Sequence, residues 1–268
     1  MRVFAVAPLL FLALNAVATE TPTSERTATR VILVGDSTMA TRTGYGDALC
    51  KRFLENVTCI NLARGGRSSG SFRTEGLWEQ MMDMLRTGGQ FRATYVLIQF
   101  GHNDQPGKPG RSTDLVSEFP VNMARYVEDA RSLGAVPVLV TPLTRRIFRD
   151  GVLQNDLKAW ADATRRIADA KKAPLLDLNA DSAAAVSAMG TSEADTLAEE
   201  PPPAKPVTQV TISADVAKLE PNGVVKSRFD YTHLGAKGAA LFSRMVAQEL
   251  VTALPALAVQ IKPDAIAK

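Results

Sequence analysis

The stretch Val31-Ile32-Leu33-Val34-Gly35-Asp36-Ser37-Thr38 is an unbroken apolar run that stops on a small, an acidic and a hydroxyl residue. A strand buried on both faces of a parallel sheet reads as a continuous Val/Ile/Leu run, whereas a half-solvated strand alternates. Open α/β sheets place ligands just beyond the carboxyl ends of such strands, which is where Ser37 falls. Asp-Ser-Thr also suits the N-cap of a following helix, because these side chains accept from the free amides of a first turn. Taken alone, the triplet caps. Three later strand ends or loops that deliver polar groups of the kinds a serine hydrolase needs turn the reading toward chemistry.

Working outward, residues 57–62, 95–100, 136–140 and 175–178 are further short apolar runs. Between them lie helical patterns over 47–54, 77–86, 121–133 and 153–171, the last with Leu157, Trp160, Ala161, Thr164, Ile167 and Ala168 on one face. A closing amphipathic helix follows over 235–254, with Phe242, Val246 and Leu250 facing inward. Strand and helix alternating five times predict a three-layer α/β/α sandwich on a central five-stranded parallel sheet. Residues 181–226 break this rhythm as a long insertion: a helix from about Ser182, then an extended exposed loop at Pro201-Pro202-Pro203. Residues 255–268 show no periodicity and read as a loose tail.

A chain of 268 residues with 46% hydrophobic content suits one sizeable domain, expected over 29–254. Residues 1–18 read as a secretory signal peptide: Arg2 supplies the charge, residues 3–14 the apolar stretch, and Ala16-Val17-Ala18 the cleavage site. A polar leader spans 19–28, and the apolar stretch is shorter than the roughly 20 residues a membrane span requires. The expectation is a secreted, soluble monomer with no membrane partner. Without Arg2, 30 basic residues face 28 acidic ones, a balance of about +2 that gives no reason to expect nucleic acid. Cys50 and Cys59, the only cysteines, fit either a disulfide in an exported chain or two buried thiols. Asn56-Val57-Thr58 matches the N-glycosylation pattern.

Acyl transfer from an ester needs a nucleophile, a base in reach of it, a group that orients the base, and donors for the developing oxyanion. With two histidines in the chain, the choice of base is narrow. His233 lies three residues after Asp230, a spacing that lets one turn bring the carboxylate to Nδ1. Ser37, His233 and Asp230 are therefore the catalytic candidates. The backbone N–H groups of Ser37 and Gly66 and the side-chain amide of Asn103 are the oxyanion candidates. Gly65, adjacent to Gly66, competes for the same role. His102 either orients Asn103 or satisfies a buried contact, and the second reading is preferred. Two histidines far apart in sequence do not make the usual three-histidine zinc site. Arg64, Arg67, Arg73, Arg145, Arg146 and Arg149 fall in or near loops that could edge the site, where guanidinium groups pair well with carboxylates, although any one of them taken singly reads as solvated surface arginine. Trp78 and Trp160 fall on helical faces and read as core.

Gly35-Asp36-Ser37-Thr38, the Gly66-Arg67-Ser68 loop, Gly101-His102-Asn103-Asp104 and Asp230-x-x-His233-Leu234 resemble, in order, the four defining blocks of the SGNH or GDSL-type hydrolases. Within that superfamily the blocks resemble the rhamnogalacturonan acetylesterase branch. The resemblance implies a flavodoxin-like fold and a serine esterase with neither metal nor cofactor. It implies an acetylated pectic polysaccharide as substrate, and Ser37, Gly66, Asn103, Asp230 and His233 as site residues. The rival readings are a lipase or thioesterase of the same superfamily and, from another class, an inactive carbohydrate-binding protein.

Overall fold

The computed structural model describes residues 28–201 and 229–265, together with the backbone of 218–219 and 225–226. The strands are β1 (Thr29–Gly35), β2 (Val57–Asn61), β3 (Ala93–Gln99), β4 (Val136–Val140), a short hairpin β5 (Phe148–Arg149) and β6 (Val152–Leu153), then β7 (Leu175–Leu176). A second two-residue pair, β8 (Lys218–Leu219) and β9 (Val225–Lys226), runs antiparallel. The helices are α1 (Gly46–Cys50), α2 (Ser71–Thr74), α3 (Leu77–Arg86), α4 (Phe119–Ser132), α5 (Lys158–Lys171), α6 (Leu178–Asp195), α7 (Ala236–Ala253) and α8 (Pro255–Ala258).

The main sheet has the order β2-β1-β3-β4-β7 with every pairing parallel. This is the flavodoxin-like arrangement, in which the strand order reverses between β1 and β3 and leaves a crevice at their carboxyl ends. Side chains alternate across a strand, and β1 and β3 use both faces. Val31, Leu33 and Leu97 pack with Leu49 of α1, Val186 of α6 and Phe242 of α7. Ile32, Val34 and Ile98 pack with Met81 of α3, Tyr126 of α4 and Ile167 of α5. Full burial of a side chain of this size contributes about 1.5–3 kcal/mol. That double demand explains why β1 is apolar at every core position rather than at alternate ones. Trp78 and Trp160 are buried in the second layer, as their spacing predicts.

The long helix expected over 153–171 starts five residues late, because Asp150-Gly151 closes the β5–β6 hairpin. Both turn residues have positive φ, 49° and 77°. An Asp-Gly pair suits such a two-residue hairpin turn. The helix expected from about Ser182 begins instead at Leu178 and breaks at Gly190, where φ is 70°. Residues 255–265 are not loose. Leu257 and Ile261 are buried, the Leu54 amide donates to the Gln260 carbonyl, and the Lys262 amide donates to the Arg52 carbonyl. Two buried apolar residues four apart are too short a run to register as periodicity, yet they fix the chain end against α1. A disulfide joins Cys50 of α1 to Cys59 of β2, with Cα atoms 5.4 Å apart. The expected signal peptide and most of the leader lie outside the described residues, as does most of the 202–228 part of the insertion. Among the described residues no helix is long and apolar enough to cross a membrane.

Candidate active site

The loop after β1 is fixed by a buried polar network. Asp36 Oδ1 accepts from the Thr38 amide at 2.9 Å and from Thr38 Oγ1 at 2.8 Å. Gln99 Nε2 donates to Thr38 Oγ1, and the Tyr45 hydroxyl donates to Gln99 Oε1, each at 2.7 Å. A β-carbon on Gly44 would come within 2.3 Å of the Thr38 backbone, so only glycine lets the loop fold back this tightly. Ser37 is thereby presented at the end of the strand with 8% of its surface exposed. Its carbonyl accepts from Thr43 Oγ1 at 2.8 Å.

The two neighbouring loops lock to each other. Asp104 Oδ1 accepts from the Ser69 amide, Ser69 Oγ and Thr113 Oγ1 at 3.0, 2.6 and 2.8 Å. Burial raises the Asp104 carboxyl to about 6. Tyr126 of α4 donates to the Ser69 carbonyl, and Asn103 Nδ2 donates to the Arg67 carbonyl at 3.1 Å. Between them Gly66 adopts φ of 78°, the left-handed region that favours glycine. Among the described residues, the Ser37 and Gly66 amides donate to no protein acceptor. Both lie outside helices and strands, so each remains available to a ligand oxygen. Gly65 lies alongside the nucleophile loop, where a β-carbon would sit 3.8 Å from Ser37 Cβ.

His102 does not turn toward Asn103. Its Nδ1 lies 3.2 Å from Asp36 Oδ2, and both side chains are buried, in line with the preferred expectation. Burial opposes ionisation of Asp36, but the His102 ring and the Thr38 donors outweigh it and hold the carboxyl below its ordinary value. Burial keeps the His102 imidazole below its ordinary value, which favours the neutral ring donating Nδ1–H to a carboxylate.

Asp230 and His233 form the third part. His233 Nδ1 and Asp230 Oδ2 are 2.6 Å apart, while Asp230 Oδ1 accepts from the Thr232 and His233 amides at 2.8 and 3.0 Å. Hydrogen bonding to His233 holds the Asp230 carboxyl far below its usual range, and the same bond raises the His233 imidazole. The turn is held from beneath by Arg146, which follows β4 and is fully buried. Its Nη2 donates to the Asp230 and His233 carbonyls at 2.9 and 2.8 Å, and its amide donates to the Tyr231 carbonyl at 2.9 Å. Burial lowers this guanidinium to about 10, so it stays charged at neutral pH. From the other side, the Leu234 amide donates to the Thr43 carbonyl at 2.9 Å. Two hydrogen bonds through Thr43 therefore link the His233 turn to the Ser37 loop. Among the described residues, no hydrogen bond joins Ser37 Oγ to His233 directly.

The structure thus brings Ser37, Gly66, Asn103, Asp230 and His233 to one edge of the sheet, at the β1/β3 crevice. The arginines behave differently from expectation. Arg145 and Arg146 are buried; Arg145 is paired with Asp156 and bonded to Thr232 Oγ1, so both support the site from within rather than edging it. Arg67 pairs with Glu75 and Arg73 with Asp129, whereas Arg64 and Arg149 are exposed. Arg146 was expected as a cation at the edge of the site, and its place under the Asp230–His233 turn was the part not foreseen. The available signal was its place just beyond the carboxyl end of β4. Glu199, Asp230 and His233 have potential ligand atoms within 4.8 Å of one another. The Asp230–His233 hydrogen bond already occupies one carboxylate oxygen and one ring nitrogen of that group.

A serine at a strand end and a carboxylate-oriented histidine on a turn bonded to its loop are parts that acyl hydrolases use. Residues 33–241 match the GDSL-like lipase/acylhydrolase family, and the chain belongs to that family; it is a carboxylic ester hydrolase. It is 32% identical over 227 residues to the rhamnogalacturonan acetylesterase RhgT of Bacillus subtilis, covering 82% of this chain and 88% of that one. A probable rhamnogalacturonan acetylesterase, YesY, from the same organism is 30% identical over 228 residues, covering 82% and 92%. Among solved structures, YxiM of Bacillus subtilis superposes with a TM-score of 0.62 at 21% identity, over 84% of this chain and 57% of that one.

Proposed function

We propose that the protein is a secreted serine carbohydrate esterase that removes O-acetyl groups from a pectic polysaccharide such as rhamnogalacturonan. Ser37 Oγ attacks the acetyl carbonyl while His233 Nε2 takes its proton. Asp230 holds the ring through Nδ1 and stabilises the imidazolium. The negative charge on the former carbonyl oxygen is met by the amides of Ser37 and Gly66 and by Asn103 Nδ2. Collapse of this intermediate breaks the ester bond, and His233 returns the proton to the departing sugar hydroxyl. Water then attacks the acetyl-serine with His233 as base, and acetate leaves. The observation that carries the chemistry is the 2.6 Å Asp230–His233 pair, tied through Thr43 to the Ser37 loop. The substrate reading is supported by the curated names of RhgT and YesY. Secretion is supported by the Cys50–Cys59 disulfide, a bond favoured in oxidising compartments.

The test is acetate release from acetylated rhamnogalacturonan, acetylxylan and nitrophenyl acetate. Ser37→Ala should lower turnover about 10⁴- to 10⁶-fold on every ester the wild type cleaves. Release from the pectic polymer that survives this substitution refutes the mechanism. Wild-type release from nitrophenyl acetate alone refutes the substrate.

A further inference from the structure

The loop joining β3 to α4 carries two cations to the oxyanion side of the site. Lys108 Nζ lies 3.5 Å from Asn103 Oδ1, and Arg111 Nη1 lies 3.4 Å from the Gly66 carbonyl. Charge-assisted hydrogen bonds ordinarily close to about 2.7–2.9 Å, so these long contacts leave both charges underused. Among the described residues neither cation has a carboxylate within ion-pairing distance, in contrast to Arg67, Arg73 and Arg145 nearby.

The loop that carries them is prearranged. Ser112 Oγ donates to the Gln105 carbonyl at 2.8 Å and accepts from the Lys108 amide at 2.9 Å. The Thr113 amide donates to the Asp104 carbonyl at 2.9 Å. Arg111 also lines an open cleft of roughly 400 Å³ with Ser71, Thr74, Thr113, Asn122 and Glu118, whose carboxylate accepts from the Asp114 amide.

We propose that Lys108 and Arg111 form a carboxylate-binding subsite beside the oxyanion hole, which takes a uronate of an acidic sugar chain whose acetyl group lies at Ser37. This inference rests on the carbohydrate esterase reading above and adds the group that the enzyme uses to select acidic over neutral chains. Guanidinium offers a planar fork that matches a carboxylate, and ammonium offers a point charge; together they clamp both oxygens of one group. Burial, then repulsion from Arg145 and Arg111, lowers the Lys108 ammonium below its ordinary value, as befits a cation awaiting an anion. The neighbouring hydroxyl and amide side chains suit the sugar hydroxyls flanking the uronate.

Two measurements test the subsite. The first is inhibition of nitrophenyl acetate hydrolysis by non-acetylated oligogalacturonate, compared with its methyl ester. The wild type should bind the free acid about tenfold more tightly than the ester, as expected for one charge-assisted contact. Lys108→Gln with Arg111→Gln should bring that ratio to about one, while Lys108→Arg, which keeps the charge, should preserve it. Raising the salt to 1 M should erode the wild-type ratio, because the screening length falls to about 3 Å. The second is acetate release from one acetylated homogalacturonan preparation before and after methyl esterification, with the same ordering expected. Equal inhibition by acid and ester in the wild type, or an unchanged ratio in the double variant, overturns the subsite. Free-acid inhibition without acetate release from any polymer leaves the subsite standing and removes the pectic-esterase reading instead.

Discussion

The two halves of the proposed catalytic centre are built differently. Asp36, Thr38, Ser69 and Asp104, which shape the nucleophile and oxyanion loops, are all buried and bonded to one another or to adjacent strands and helices. The Asp230 and His233 side chains are 44% and 31% exposed, and their turn is held by backbone contacts to Arg146 and Thr43. Donors that stabilise a developing charge are most effective when they need no rearrangement during the reaction. A base that gives its proton up and takes another from water in every cycle needs solvent at its edge. The proposed roles account for the contrast between buried, hydrogen-bonded loops around Ser37 and Gly66 and a solvent-exposed Asp230–His233 pair.

The sharpest way to break the contrast is Asp230→Asn, which leaves the buried half untouched. Turnover should fall about 10⁴-fold, since the ring loses its orienting carboxylate. The pH profile gives the direction. His233 is raised above its ordinary 6.5, so wild-type activity should climb with pH through a limb lying above that value. In Asp230→Asn the residual activity should show this limb displaced to lower pH; an unmoved limb would mean that another group sets it. The same bond links to stability: the His233 contribution is present below its unfolded value and fades as pH rises through the folded one. The Asp230 contribution is present above its unfolded value and fades as pH falls.

A smaller effect is expected from Arg146→Ala, which removes the side-chain donor under the turn to the Asp230 carbonyl, while the His233 carbonyl keeps the Glu199 amide. Turnover on nitrophenyl acetate should fall about 10²-fold with KM within about threefold, as a misplaced base harms the transition state more than binding. Millimolar guanidinium should restore part of it. A parallel collapse of the folded fraction, with normal turnover per folded molecule, would make Arg146 a stability residue only. The smallest catalytic effect belongs to the disulfide. Replacing Cys50 and Cys59 with alanine should cost about 2–3 kcal/mol of stability, by closure entropy over a loop of roughly ten residues, with turnover retained.

Parts of this arrangement were readable in advance. Val31 to Val34 announce a doubly buried strand because both of its faces pack against helices, and Asp230 announces His233 because three residues is one turn. The supporting role of Arg146 was legible only from its place after β4, since its partners are main-chain carbonyls that carry no side-chain identity. The β5–β6 hairpin was hidden because its strands are two residues each and the helical spacing of Leu157 and Trp160 carried back onto Leu153, the last residue of β6. Lys108 and Arg111 lie in a loop of glycines and prolines whose path is set by Ser112 and Asp104, contacts invisible to periodicity. Patterning reports on burial, and these groups are placed by hydrogen bonds instead.

Arg146 and Thr43 grip the Asp230–His233 turn from the strand side, and the chain just beyond α6 grips it from the other, where the Glu199 amide donates to the His233 carbonyl. The base is therefore placed by segments far apart in the chain, and no single connection into the turn decides where it sits.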